Sequence, residues 1–306
     1  MSYTVEYISC RVCASDNTKF LGIRGNLEYW GAPALADNRE HIVTNVVKCR
    51  QCGFVYTNPR IALSLERGYD FYNDSEEYLS SVSHDPLRIF DKTLDLIERF
   101  TKHKGRLLDI GAGKGEFLAA AKKRGWEAFG IEPSQKFVKY AKEKYGIAIQ
   151  QSYPEEAVFS ENFFDVVTLS MVLEHVEDPH KLLMIISKIL KENGLLYIEV
   201  PNMNSGLLKI INLYYRLKGK GWSPFLSPLH PPYHCYGYQK SSLIKLCGLN
   251  NFRVKKFFVK GIGLRGFRFC GTDNKLKQGI ICLLARAMSW LKQGDILIAL
   301  ASKDTK

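Results

Sequence analysis

The stretch from Leu107 to Phe117, Leu-Leu-Asp-Ile-Gly-Ala-Gly-Lys-Gly-Glu-Phe, leaves the backbone few options. Apolar residues run up to a carboxylate at Asp109, glycines follow at 111, 113 and 115, and a helix-forming run begins at Glu116. This reads as a buried strand, a turn too tight for side chains, and a helix N-terminus facing a ligand. Glycine enters left-handed backbone without penalty and lets a ligand come close. Phosphate loops keep carboxylates away from the anion or close on a Lys-Ser/Thr pair, and this loop has neither the spacing nor the hydroxyl residue. A carboxylate at the strand end suits an ammonium or sulfonium group instead.

Around this loop, apolar periodicity alternates between strand and helix. Helix 89–100 leads into strand 106–110, helix 116–124 into strand 127–132, and helix 134–145, capped by Ser134, into strand 147–150. Strand 164–170 precedes helix 179–190, which opens on Pro179, and strand 195–200 stops at Pro201. This alternation predicts an α/β domain, a parallel sheet covered on both faces. An insertion at 202–238 breaks the rhythm with an apolar-basic helix near 207–217. Helix 241–249, strand 252–259, a glycine-rich loop from Gly261 to Gly271, helix 276–291 and strand 295–301 complete the expected pattern.

Further candidates fall at strand ends, where open α/β sheets bind ligands. Glu132 ends the second strand 17 residues after Gly115 and has the chemistry to accept both hydrogen bonds of a ribose diol. Gln151-Ser152-Tyr153 follows the third strand, Phe163-Phe164-Asp165 opens the fourth, and Ser170-Met171-Val172-Leu173-Glu174-His175-Val176 ends it. The glycine loop, Glu132 and the Leu-Glu-His-Val run together resemble Rossmann-like (class I) S-adenosylmethionine-dependent methyltransferases over positions 105 to 260. The resemblance implies a seven-stranded, mostly parallel sheet with helices on both faces. It implies S-adenosylmethionine as cofactor, held by Asp109, Gly111, Ala112, Gly113, Gly115, Glu132, Ser152, Tyr153, Ser170 and Met171. The family usually places an aspartate near Ser152; here backbone groups and Tyr153 are expected to meet the adenine. Asp165 is expected to be structural.

Two Cys-x-x-Cys pairs, Cys10/Cys13 and Cys49/Cys52, supply four thiolates, enough for a closed structural zinc site. Gly53 follows the second pair as a zinc knuckle requires, but Ala14 follows the first, and 35 residues part the pairs. Unrelated reduced thiols are the alternative. A small N-terminal zinc ribbon with a long inserted loop (Gly22 to Asn38, carrying Trp30) is the expectation. The domain boundaries expected are 1–58 for this zinc-ribbon-like segment, 59–104 for a linker and helical cap, and 105–306 for the methyltransferase domain. Tyr69, Phe71, Tyr72 and Tyr78 could line a lid or glue the appendage to the main domain. Methyltransferases with such a ribbon resemble sugar-modifying and polysaccharide-cluster enzymes, although sugar C-methyltransferases carry a longer C-terminal domain.

The net charge of +12 is one-sided. Residues 203–306 carry 18 Lys and Arg against three aspartates, and the first 202 residues carry 25 basic and 28 acidic residues. Such asymmetry favours an anionic partner: a nucleotide sugar, a phospholipid-linked substrate, RNA, or an anionic membrane face. No RNA-binding module accompanies the charge, which ranks nucleic acid below a small molecule. The N-terminus lacks a basic region followed by an apolar run, and the apolar stretch 279–301 is interrupted by Arg286, Lys292 and Asp295. A cytoplasmic protein follows as the expectation, with peripheral contact at the inner membrane face as an option.

A sulfonium already activates its methyl group, so a general base is needed only for a hydroxyl or carbon acid. His175 has a suitable pKa and strand-end position; orienting Glu174 or capping a helix is its other reading. The family resemblance places a histidine near the acceptor in the loop Leu229–Tyr238, which points to His234 or His230, with Tyr233 and Tyr236 shaping the pocket. Solvent exposure is the alternative for these histidines. The reading is methyl transfer to a small molecule, a sugar or other phosphate-bearing acceptor. RNA or protein methylation, and a catalytically silent zinc-ribbon interaction protein, remain open.

Overall fold

A computed structural model describes residues 4–25, 43–62, 90–226, 234–261 and 290–304, with scattered positions from 279 to 288. Five strands come first: β1 (Thr4–Glu6), β2 (Thr18–Gly25), β3 (Val43–Cys49), β4 (Val55–Thr57) and β5 (Arg60–Ala62). Then follow α1 (Asp91–Phe100), β6 (Arg106–Ile110), α2 (Glu116–Lys123), β7 (Glu127–Ile131), α3 (Gln135–Tyr145) and β8 (Phe164–Ser170). A 3-10 turn (Leu173–His175) leads to α4 (Pro179–Ile189), β9 (Leu190–Pro201) and α5 (Gly206–Leu217). The last elements are β10 (Tyr236–Gly237), α6 (Lys240–Leu249), β11 (Phe252–Lys260) and β12 (Ile296–Lys303). The chain divides into two compact units, one of Met1–Leu63, Val200–Lys245 and Phe257–Ile298, the other of Ser64–Glu199, Leu246–Lys256 and Ala299–Lys306.

The larger sheet runs in the order β11-β12-β9-β8-β6-β7, and its parallel neighbours β7, β6, β8 and β9 form the body of the second unit. Leu107, Leu108, Ile110, Val166, Val167, Leu169, Leu196 and Ile198 are buried, as near-continuous apolar runs require when helices cover both faces. At the N-terminal end of the strands, Asp165 accepts from the Arg106 backbone N–H at 2.8 Å and from Lys191 Nζ at 2.7 Å, a structural clasp. Arg124, at the end of α2, bonds Asp95 and Glu98 of α1, and Trp126 donates to Glu98, fixing α1 beside α2.

Six strands stand in this sheet among the described residues, rather than the seven expected. Segment 147–150 forms a single parallel bridge, Ile131↔Gln150. The helix end consumes its start: the N–H groups of Gly146 and Ile147 donate to Lys142 and Ala141 of α3, and Gly146 takes φ 63°. Only Gln150 is then free to pair, through its N–H to Gly130 (2.9 Å) and its carbonyl to the Glu132 N–H (3.1 Å).

In the first unit, β2 and β3 form an antiparallel hairpin from Thr18↔Cys49 to Gly25↔Val43, extended by β4 and β10 in the order β10-β4-β3-β2. β1 pairs with β5 separately. Val46, Val55, Met203 and Leu226 make an apolar cluster, and Phe54 stacks with Tyr56 and Tyr236. Ser205 caps α5 through the Leu208 N–H, and its hydroxyl hydrogen-bonds Asp295. The described part of the segment between the cysteine pairs therefore supplies the two arms of this hairpin. The stretch 26–42, with Trp30, lies outside the described residues, as do Tyr69, Phe71, Tyr72, Tyr78, Gly263–Gly271 and the loop 227–233. No described helix is long and apolar enough to cross a membrane.

Candidate cofactor site and metal centre

The C-terminal ends of β6, β7, β8 and β9 each deliver one buried carboxylate: Asp109, Glu132, Glu174 and Glu199. Asp109 sits in register with Thr168 of β8, whose hydroxyl donates to Asp109 Oδ1 at 2.6 Å. Burial pushes the Asp109 carboxyl up to about 7; the Thr168 hydrogen bond opposes this and the Glu132 charge adds to it. Glu132 is raised by burial too, against hydrogen bonds from two backbone amides. Those amides are Gly113 N–H to Oε2 and Ser134 N–H to Oε1, both at 2.9 Å. Each carboxylate oxygen has two lone pairs, so both can accept another donor. Ser134 also caps α3 by accepting from Phe137 N–H.

The loop between β6 and α2 is pinned to β7 by the Gly111 and Ala112 amides, which both donate to the Ile131 carbonyl. Gly111 takes φ 72°, and a Cβ there would lie 2.6 Å from Val172. Gly115 takes φ 74°, and its Cβ would lie 2.7 Å from Ala141. Gly113 differs: at φ 52° its missing Cβ would meet nothing within 4 Å. Two glycines are thus needed for packing, and the middle one borders open space beside Glu132.

Met171, just past β8, adopts left-handed backbone at φ 57°, with its N–H bonded to the Glu199 carbonyl at 2.8 Å. Ser170 and Met171 stand at the same strand ends as the four acids. Such strain at a non-glycine residue clusters at ligand sites. Ser152 Oγ is buried without a hydrogen-bond partner among the described residues, and Tyr153 is partly exposed. Glu174 is fully buried, its carboxyl pushed up to about 8 by burial and then by Glu199. The Tyr197 hydroxyl donates to Glu199. Glu199, Thr168 and Tyr197 were not anticipated as site residues, and Glu174 stood in a candidate run without a role of its own. The signal was present in the sequence, since Glu199 ends an apolar strand just as Asp109 does.

This set fits S-adenosylmethionine. Carboxylates suit its ammonium and sulfonium charges, Glu132 its ribose hydroxyls, the open face of Gly113 its close approach, and the orphan Ser152 hydroxyl a polar adenine edge. His175 lies in the 3-10 turn after β8, half-buried, in the second unit. His234 lies in the first unit before β10, and His230 is outside the described residues.

The four cysteines converge in the first unit. Cys10 and Cys52 sulfurs are 3.5 Å apart, Cys13 and Cys49 sulfurs 3.6 Å, and all four lie within 4.8 Å of one another. Zinc with bonds of about 2.3 Å spaces tetrahedral sulfurs about 3.8 Å apart, so the cluster fits one zinc ion. Two matching turns build it. Ala14 N–H donates to Cys10 O and Gly53 N–H to Cys49 O, while Cys10 N–H reaches Ser15 O and Cys49 N–H reaches Phe54 O. The residue after each pair is left-handed, Ala14 at φ 57° and Gly53 at φ 81°.

Residues 82–256, more than half the chain, match the family model described as a methyltransferase domain. Ubiquinone biosynthesis O-methyltransferase of Pelagibacter ubique is 29% identical over 184 residues, spanning 56% of this chain and 68% of that protein. A SAM-dependent methyltransferase from Archaeoglobus fulgidus superposes with TM-score 0.50 at 21% identity, over 76% of this chain and 99% of that one. Geranyl diphosphate C-methyltransferase from Streptomyces coelicolor gives TM-score 0.52 at 12% identity, over 79% and 99%. These likenesses establish a Rossmann-like fold. The chain belongs to the methyltransferase domain family, and S-adenosylmethionine is the methyl donor its strand-end residues fit.

Proposed function

We propose that the protein methylates a small-molecule acceptor carrying a phosphate or diphosphate, such as a nucleotide- or lipid-linked sugar. The row of buried carboxylates beside the glycine loop carries the cofactor half of this reading. Glu132 would hold the ribose hydroxyls, Asp109 would set the charge of the loop, and Ser152 and Tyr153 would meet the adenine. Gly111, Ala112, Gly113 and Gly115 would form the backbone cradle, closed by Ser170 and Met171. Bound S-adenosylmethionine supplies a methyl group already activated by its sulfonium. What this chain adds is alignment of the acceptor and exclusion of water.

The basic excess in residues 203–306 supports an anionic acceptor. The exposed Ile210, Leu213, Tyr214 and Leu217 of α5 support peripheral contact with an anionic membrane face. The matched relatives named as O-methyltransferases favour a hydroxyl acceptor. His175 would then take the hydroxyl proton as it leaves, with His234 and His230 as further candidate bases. Methyl-labelled S-adenosylmethionine incubated with fractionated native extract tests the reading. Label is expected in a phosphate-bearing small molecule whose labelling drops about 100-fold with His175→Ala; label in RNA or protein alone contradicts it.

A further inference from the structure

A cavity of about 480 Å³ opens in the first unit against the second cysteine turn. Lys19, Lys48, Arg50 and Lys209 line it, with no aspartate or glutamate in its wall. They come from β2, from β3 and the cysteine turn that directly follows it, and from α5, three places far apart in sequence. Lys48 Nζ donates to Gln239 Oε1 at 3.2 Å, and the charges of Lys19 and Lys209 both act on it. None of the four makes an ion pair among the described residues, so like charges are gathered here without an internal counter-charge.

A zinc tetrathiolate carries two negative charges, and Cys49 and Cys52 border the cavity. Four cations against two leave a net of two positive charges facing the space. Offsetting the metal centre therefore does not use up the cluster. A polar volume of this size suits a small ligand, and its surplus matches a diphosphate.

We propose that this cavity is an anion site that binds the phosphate or diphosphate of a soluble small molecule, with Lys19, Lys48, Arg50 and Lys209 as its ligands. The ligand class rests on the phosphate-bearing acceptor proposed above, whereas the site itself rests on the cavity and its charge. Gln239 anchors Lys48, and its amide donates to Ser241 Oγ, whose hydroxyl in turn reaches the Cys52 carbonyl. The cationic wall is thereby tied to the metal turn.

Titration of zinc-loaded full-length protein with inorganic pyrophosphate tests the assignment, with S-adenosylhomocysteine titrated in parallel. Pyrophosphate should bind, more weakly as salt rises, and Lys19→Gln or Lys209→Gln should each loosen it about tenfold. Lys209→Arg should restore it, with zinc content and S-adenosylhomocysteine affinity unchanged in every variant. Absent pyrophosphate binding, or equal binding by both Gln variants and the parent, overturns the site. Sedimentation with phosphatidylglycerol vesicles that depends on Lys19 and Lys209, while pyrophosphate binding does not, overturns it in favour of a lipid headgroup. Pyrophosphate binding without S-adenosylhomocysteine binding upholds the anion site and sinks the methyl-transfer reading instead.

Discussion

Ala14 and Gly53 occupy equivalent positions in the two cysteine turns, yet only Gly53 enters left-handed backbone without steric cost. An alanine there costs roughly 1–2 kcal/mol, and a glycine loses roughly 0.5–1 kcal/mol more entropy on folding. Ala14→Gly is therefore expected to stabilise the zinc-loaded chain by about 0.5–1 kcal/mol. A raised urea midpoint checks this, and a lowered one contradicts it. Glu174 sets a different residue-scale expectation. Its folded carboxyl titrates at about 8, against 4.5 when unperturbed. Between those values the folded chain keeps a proton that the unfolded chain has lost. The stability this contributes is complete below 4.5 and drains away as pH rises to about 8. Glu174→Gln should flatten that decline, measured as Tm against pH. Parallel profiles for parent and variant would show that the residue does not titrate this way.

At the scale of elements, local patterns read most truly. The run from Leu107 to Phe117 does form strand, left-handed turn and helix, because all three are fixed by neighbours in sequence. The 35-residue gap between the cysteine pairs, in which Gly22 to Asn38 reads as a loop, is not irregular throughout. It includes both arms of the β2–β3 hairpin, whose pairing of Thr18 with Cys49 brings the two turns together. Segment 147–150 has strand composition, but its first amide, Ile147 N–H, caps α3, an expense that periodicity does not record. The metal the two cysteine turns would share ties them together beyond the Arg50 N–H to Asn17 carbonyl bond and the Thr18–Cys49 pairing, so zinc removal should act there first. Hydrogen exchange after chelation is expected to speed at the amides of Cys10, Ala14, Cys49 and Gly53 while β6 and β8 stay protected. Unchanged exchange in both turns would count against a structural zinc.

Over the whole molecule, charge was only half legible. The basic excess lies in residues 203–306, yet three of the four cations lining the anion cavity, Lys19, Lys48 and Arg50, precede it. Folding gathers them with Lys209, a juxtaposition no local window can reveal. The buried acids show the same limit: Asp109 and Glu132 stood out beside glycine and proline, while Glu199 looked like an ordinary strand residue until the sheet aligned it with them. Four acids stand at four adjacent strand ends, and the cofactor site proposed among them is the core of the account. Calorimetric titration of S-adenosylmethionine into the zinc-loaded full chain tests it most directly, comparing parent with Asp109→Asn. The account predicts one cofactor per chain and an affinity about 10–100-fold weaker in the variant, the loss of one charge-assisted interaction of roughly 1.5–3 kcal/mol. No binding by the parent, or equal affinity in the variant, would contradict it.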